Sequence, residues 1–496
     1  MLRRKVKKDS YIFANFQEPY LFDVANLFCQ KNLGTPLHVA FQEYFDGEGL
    51  WTDLSELSNP KKLILSPNFS GDFSCLLDSL SPIHAIYFKD FQLMMDRFSL
   101  EKYPNILTLS YYNHLLAYWN NKILNSESPI KAVFFDSTPH MPWDFTLFVV
   151  AKMLSIDVII LKNTKLTNRI MLSSEILNIN FYEIRHNHQI DLKEFDNFLL
   201  EDPYWKQYSS DYFIIRYFKY IKRIFFSLGR FIFRILTNYN QNHHYFKFSR
   251  NEYAAYVIRY FWRYTKIAAF FVRYWGFDIF RSGTFFSNKV QSTDVYIALH
   301  FQPERSTLPE AGVFSDQISA IRHLAKNTPE NTRIFIKEHP KQVTFFDLRL
   351  QKFSYRTDFF YKSLASIPKV ILIPSFVSTD RIMNRVGIVV SATGSVLWEA
   401  CKKGKPSISL APTWLSGNSS VLELNKFINR VSIESLFDKS KDQVILDSRF
   451  HLTNIDKYLI NAPFANSYLK KNSSQKALYV SNLVDAFTTV LERLRK

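Results

Sequence analysis

The sequence predicts an α/β protein of two doubly wound domains with a basic, aromatic helical segment between them. Three observations lead there. The chain has 496 residues, 47% hydrophobic and 22% charged, which describes folded protein and more of it than one ordinary core holds. Short apolar runs alternate with amphipathic stretches in two separate regions, the pattern of βαβ units. Between those regions, over 203–290, fifteen Lys and Arg stand against three Asp and Glu and supply most of the net charge of +17.

The first domain is expected over 1–202. Its apolar runs are 37–41, 62–65 and 83–88. The clearest unit is a strand over 131–135, the loop Asp136-Ser137-Thr138-Pro139-His140, a helix over 143–154 and a second strand over 156–161. Strand, loop, helix and strand at this spacing make a parallel βαβ unit. Ligands of such sheets bind beyond the carboxyl ends of the strands. Asp136 and His140 lie in such a loop, as acid, base or acceptor contacts. The plainer reading is a capping Asp and a solvated His.

The segment 203–290 holds two runs, 212–236 and 253–275. Arg216, Lys219, Lys222, Arg223, Arg230 and Arg234 recur there at helical intervals among Phe, Tyr, Ile and Leu. The pattern fits basic amphipathic helices lying on an anionic membrane with aromatic anchors at headgroup depth. Charges every three or four residues exclude a true span. Packed helices with a solvated basic stripe are a second reading. Single-stranded nucleic acid is a third, ranked last because the apolar component dominates, so no nucleic-acid partner is expected. The basic N-terminus lacks the apolar core of a signal peptide. Cys29, Cys75 and Cys401 form neither a disulfide framework nor a zinc pattern, which suits a reducing cytosol. The expected location is therefore cytoplasmic, peripheral on the inner face of the membrane.

The second domain is expected over 291–420, before a tail over 421–496 with a terminal helix. A strand over 293–301 runs into the loop 302–309, followed by an amphipathic helix over 314–326 in which Ile318, Ile321, Leu324 and Ala325 share a face. A strand over 332–337 ends in Glu338-His339-Pro340. A helix near 358–366 leads to a strand over 369–373, and a short helix spans 377–384. The stretch 387–406 is the most informative. An apolar run, Gly387-Ile388-Val389-Val390, meets the small polar turn Ser391-Ala392-Thr393-Gly394-Ser395, and a helix follows, stopped by Gly404-Lys405-Pro406. Backbone amides and hydroxyls of such a turn converge on one spot, which the helix dipole makes favourable for an anion, typically phosphate. An ordinary capped βαβ turn is the alternative. A last strand covers 407–410. Five strands alternating with helices make a doubly wound parallel sheet. The polar strand ends, Gln302/Glu304, Glu338/His339, Ser375 and Ser391–Ser395, should converge on one rim.

Several motifs occur in order: His300-Phe301-Gln302-Pro303-Glu304, Phe314-x-Asp316-Gln317, Lys337-Glu338-His339-Pro340, Thr393-Gly394-Ser395-x-x-x-Glu399-Ala400, and Gly404-Lys405-Pro406. This series resembles the bacterial capsule polysaccharide biosynthesis family, which includes β-Kdo transferases. The resemblance is strong over about 290–412 and weaker over about 130–165. It implies a GT-B-like architecture of two Rossmann-like domains, with the donor nucleotide on the second. It places His339 on the donor phosphate, Ser391, Thr393, Gly394 and Ser395 around that phosphate, and Glu399 near the ribose or base. Gln302 and Glu304 would line the cleft, and Gln302 and Glu338 count among the donor-binding residues. Asp136 is the first candidate for the acceptor's base, His140 the second, and Glu304 a further catalytic candidate. No Asp-x-Asp falls at a strand end, so no metal or other cofactor is expected. The implied activity is transfer of a sugar from a nucleotide-sugar, CMP-Kdo or similar, to a lipid-linked or oligosaccharide acceptor. A nucleotide-sugar epimerase and a non-catalytic membrane-associated assembly protein are the alternatives.

Overall fold

The structure, a computed structural model, describes residues 9–40, 50–53, 81–98, 105–164, 166, 168–184, 250–276, 289–302, 305–339, 342, 356–375, 377–424, 428–464 and 475–495. The basic run 212–236, with all six of its named Arg and Lys, and Glu304 lie outside the described residues. The chain divides into two compact units. One is Met1–Leu199 with Asn454–Lys496, the other Leu200–Thr453.

The first unit is a seven-stranded sheet. Its strands are β1 (Ser10–Ala14), β2 (Thr35–Ala40), β3 (Leu50–Asp53), β4 (Ile130–Phe135), β5 (Asp157–Asn163), β6 (Arg169–Ser173) and, from the far end of the chain, β13 (Ile460–Asn461). The order is β13-β6-β5-β4-β1-β2-β3. The five strands β3, β2, β1, β4 and β5 are parallel, and β6 and β13 extend the edge with antiparallel pairings. Helices α1 (Pro19–Lys31), α2 (Ser81–Phe98), α3 (Asn105–Leu124) and α4 (Pro142–Met153) supply the layers. The apolar run 83–88 belongs to α2. Phe91, Met94 and Met95 bury at three- and four-residue spacing, which a short apolar run alone does not reveal. The central strand β1 is missing from the expected elements.

The tail expected over 421–496 divides. Its last helix, α12 (Lys476–Leu494), packs in the first unit. Leu483, Phe487 and Val490 join one cluster with Phe13, Phe28 and Phe134. The Phe487 ring lies 4.7 Å from that of Phe134, which stacks on Phe13 at 4.9 Å. Each fully buried Phe is worth about 1.5–3 kcal/mol, so this face holds the tail to β1 and β4.

The second unit carries α5 (Arg250–Trp275) and then six strands: β7 (Val295–Ala298), β8 (Ile334–Lys337), β9 (Val370–Ile373), β10 (Ile388–Ser391), β11 (Ser407–Ser409) and β12 (Val421–Glu423). Helices α6 (Gln317–Asn327), α7 (Asp358–Ala365), α8 (Thr379–Met383) and α9 (Ser395–Lys402) alternate with them, and α10 (Arg430–Phe437) and α11 (Lys441–Ile455) follow. All pairings are parallel, in the order β12-β11-β10-β7-β8-β9. The helix expected over 314–326 starts at Gln317 instead. Asp316 caps it, accepting from Ile318 N at 3.0 Å and Ser319 N at 3.4 Å, and a 3-10 turn over Gly312–Ser315 precedes it.

Counted within each unit, the strand order runs 3-2-1-4, and in the second it completes the 3-2-1-4-5-6 series of a dinucleotide-binding sheet. The fold is thus α/β and GT-B-like, two Rossmann-like doubly wound units, and the basic aromatic helix expected between them belongs to the second. Among the described residues no helix is long and apolar enough to cross a membrane.

Candidate functional site

In a doubly wound sheet the loops diverge where the strand order reverses, and the crevice opens there. In the second unit that point lies between β7 and β10. His300 follows β7 and is buried. Its Nε2 lies 2.9 Å from Ser391 Oγ and 3.3 Å from Thr393 N, and its Nδ1 lies 3.1 Å from Ser306 Oγ. An amide N–H aimed at Nε2 requires a lone pair there. The proton therefore sits on Nδ1 and is donated to Ser306. Thr393 Oγ1 donates to Ser306 O at 3.0 Å. His300 thereby ties the loop after β7 to the turn after β10.

Gly394 closes the turn on this ring. A Cβ there would lie 2.9 Å from Ser391 Oγ and 3.2 Å from His300 Nε2, so only glycine lets the backbone come this close. As N-cap of α9, Gly394 also leaves the first-turn amides without a side-chain cap. An anion is favoured at such an end. Ser395 and Glu399 follow on α9, with Ser395 Oγ donating to Glu399 Oε1 at 3.3 Å. Burial pushes the Glu399 carboxyl up to about 7, against the pull of the Ser395 bond.

The remaining predicted donor residues fall into two groups. His339 stands half-buried at the end of β8, its ring 5.6 Å from that of Phe301. Gln302 and Glu338 are engaged inside the protein. Gln302 Nε2 donates to Thr307 Oγ1 at 2.5 Å. Glu338 accepts from Arg356 Nε at 2.6 Å, from Tyr361 OH at 2.9 Å and from the His339 amide at 2.8 Å. Arg356 also donates to His300 O at 3.0 Å and to Gln317 Oε1 at 3.2 Å, and lies over the Phe360 ring. Ser391 sits beneath the turn, its hydroxyl held by His300 and Ala298 O.

The first unit has its own reversal, between β1 and β4. Asp136 and His140 are both half-buried there. Ser137 Oγ donates to Asp136 Oδ1 at 2.9 Å, and the Asp136 amide donates to Ala14 O at 3.2 Å. His140 Nδ1 lies 2.9 Å from Thr138 O. A carbonyl only accepts, so this nitrogen carries the proton and Nε2 is the basic one. Thr138 Oγ1 accepts from the buried Lys162 Nζ at 2.9 Å.

Asp144, absent from the expected site, organises this loop. Its Oδ1 accepts from the amides of His140 (3.0 Å) and Met141 (2.7 Å), and its Oδ2 from Asn15 Nδ2 (3.2 Å). Asn15 sits just past β1 with a φ of 61°, the left-handed region that Asn tolerates. Burial pushes Asp144 up to about 8. The nearby Asp136 charge adds to the rise, and the amide bonds oppose it. Pro142 at N1 with an acid two positions on is a helix-start signature that could have found it. Arg356 leaves no comparable local signal.

No family model matches this sequence, and no curated protein does. The resemblance to the capsule family therefore stands on the motifs alone. Several solved structures are similar. One is the UDP-GlcNAc 2-epimerase of Methanocaldococcus jannaschii in complex with UDP-GlcNAc and UDP, at 13% identity and TM-score 0.22 over 95% of this chain and 99% of that one. Another is S. aureus MnaA with UDP, at 10% and 0.25 over 96% and 97%. A third is the UDP-GlcNAc 2-epimerase of Neisseria meningitidis bound to UDP-GlcNAc, at 10% and 0.23 over 94% and 99%. The two sheets and their strand order, not these alignments, define the fold.

Proposed function

We propose that this chain is an enzyme acting on a nucleotide-sugar whose phosphate sits where β7 and β10 diverge. The observation that carries the reading is the turn Thr393-Gly394-Ser395, locked by His300 and opening the uncapped α9. When the bond between the sugar's anomeric carbon and the phosphate breaks, negative charge grows on the departing nucleotide. First-turn amides and His339 are the groups proposed to stabilise it, with the amides already in place and the Ser395 hydroxyl turning from Glu399 to join them. In the first unit Asp136 is proposed as the proton acceptor, with His140 Nε2 second. No metal is invoked, so chelation should leave turnover unchanged.

Two reactions on a nucleotide-sugar fit such a site. Glycosyl transfer to a lipid-linked or oligosaccharide acceptor, from CMP-Kdo or a similar donor, is what the motif order suggests. Epimerisation of the sugar is the activity named for two of the structures above, and it needs no acceptor. Thermal shifts against CMP-, UDP-, GDP- and CDP-linked sugars test the shared claim. Stabilisation by none of them removes it and leaves a non-catalytic assembly role. The stabilising donor incubated alone then separates the reactions: a new epimer marks an epimerase, and nucleotide release that depends on added acceptor marks a transferase.

A further inference from the structure

The outward face of α5 is not used by the site. Inward, α5 packs through Ile267, Phe270, Phe271 and Trp275. The Phe271 ring lies 4.6 Å from that of Tyr361 on α7, and Trp275 Nε1 donates to Leu372 O at 2.9 Å. The aromatics of this side, expected from sequence at headgroup depth, are therefore spent on the protein. Opposite them, Trp262, Lys266, Ala269 and Arg273 form one exposed line at i, i+4, i+7 and i+11, with the exposed Arg263 beside it. On the adjoining α7, Phe359 is 72% exposed, next to Asp358, on which the Lys266 charge acts. Trp262 is 63% exposed.

We propose that the α5–α7 face docks on an anionic phospholipid bilayer. Two aromatic side chains project from neighbouring helices among cations. Charge complementarity selects an anionic partner for Arg263, Lys266 and Arg273, and the exposed Trp262 and Phe359 rings select an apolar phase just beneath the charged layer. A bilayer of anionic lipid presents both at that depth, and α5 lies in its surface without crossing. The inference goes beyond the nucleotide-sugar reading and does not depend on it.

The experiment is co-sedimentation of the full chain with vesicles of phosphatidylglycerol and phosphatidylcholine, and with phosphatidylcholine alone. The wild type should pellet with the first and stay in solution with the second, with binding weakened by salt. Three cations near the surface predict that Arg263→Ser/Lys266→Ser/Arg273→Ser lowers affinity roughly a hundredfold. Trp262→Ser/Phe359→Ser should weaken binding at unchanged charge. All five side chains are exposed, so circular dichroism and the melting temperature should match wild type. Wild-type protein in the supernatant with the anionic vesicles at low salt overturns the proposal. So does wild-type affinity in both variants, and so does preferential binding to single-stranded oligonucleotides or a dimer that only these substitutions dissolve.

Discussion

Replacing Arg356 tests whether the loop after β7 is held from below. Arg356 is 3% exposed and Glu338 5%, and the pair is the buried tie between the ends of β7 and β8. Arg356→Met keeps an apolar side chain of similar length but takes the guanidinium off the Phe360 ring and strands the Glu338 carboxylate with Tyr361 and one amide. Breaking such a pair from one side costs about 3–5 kcal/mol, because the remaining charge stays buried. A domain is stable by only about 5–15 kcal/mol. At about 2–4 °C per kcal/mol, this unit should melt about 6–20 °C lower. Hydrogen exchange of the β7 and β8 amides reads this unit alone. Adding Glu338→Leu should recover much of the loss, since the pair as a whole offsets its own desolvation. A loss below about 1 kcal/mol in Arg356→Met, or additive losses in the double variant, would refute the coupling.

His339→Ala and Ser395→Ala should each weaken nucleotide binding about tenfold or more, at roughly 1.5–3 kcal/mol per charge-assisted bond, and Gly394→Ala should do so by pushing its Cβ into Ser391 and His300; calorimetric titration showing wild-type affinity in all three removes the site. Asp136→Asn should lower turnover about 10²–10⁴-fold with nucleotide binding intact, and near-normal turnover promotes His140. Asp144, held near 8 when folded and near 3.8 when unfolded, keeps a proton the unfolded chain has released, so its stabilising contribution is full below about pH 4 and is lost as pH rises toward 8. Asp144→Asn should flatten that decline, and an unchanged pH slope of α4 hydrogen exchange in the variant would exclude this cause.

The second sheet was legible because nearly every strand there is a short apolar run that ends in a polar or turn residue, and the helices between carry an amphipathic period, although the cap at Asp316 shows only in the structure. In the first unit β1 was missed. It is five residues close behind a basic N-terminus, with no preceding turn to mark it. The return of α12 was also beyond reach, since the partners of Phe487 lie hundreds of positions earlier and no local period encodes them. The site divides the same way. The turn at Gly394 was readable from strand, glycine and helix in succession. The use of Glu338 within the fold was not, because its partner Arg356 lies eighteen positions on and only the folded sheet brings the two together.

The two sheet reversals share a device. At each, a buried titratable side chain joins the loops that leave the two halves of the crevice floor. In the first unit Asp144 gathers Asn15 beyond β1 and the His140 and Met141 amides beyond β4. In the second, His300 beyond β7 gathers the Ser391 hydroxyl and the Thr393 amide beyond β10, and Arg356 holds the His300 carbonyl from the side of β8. Loops held this way do not reorganise when charge develops beside them, which is the condition under which fixed dipoles stabilise a departing anion most. A buried polar network that is satisfied on every side rigidifies what it touches, and one left half-satisfied does the opposite. The consequence is that Arg356→Met, which touches none of the residues proposed to meet the nucleotide, should still weaken nucleotide binding by loosening His300. Glu338→Leu/Arg356→Met should restore stability without restoring that affinity, because the hydrogen bond to the His300 carbonyl is lost in both. Full recovery of affinity in the double variant would show that the network serves the fold alone.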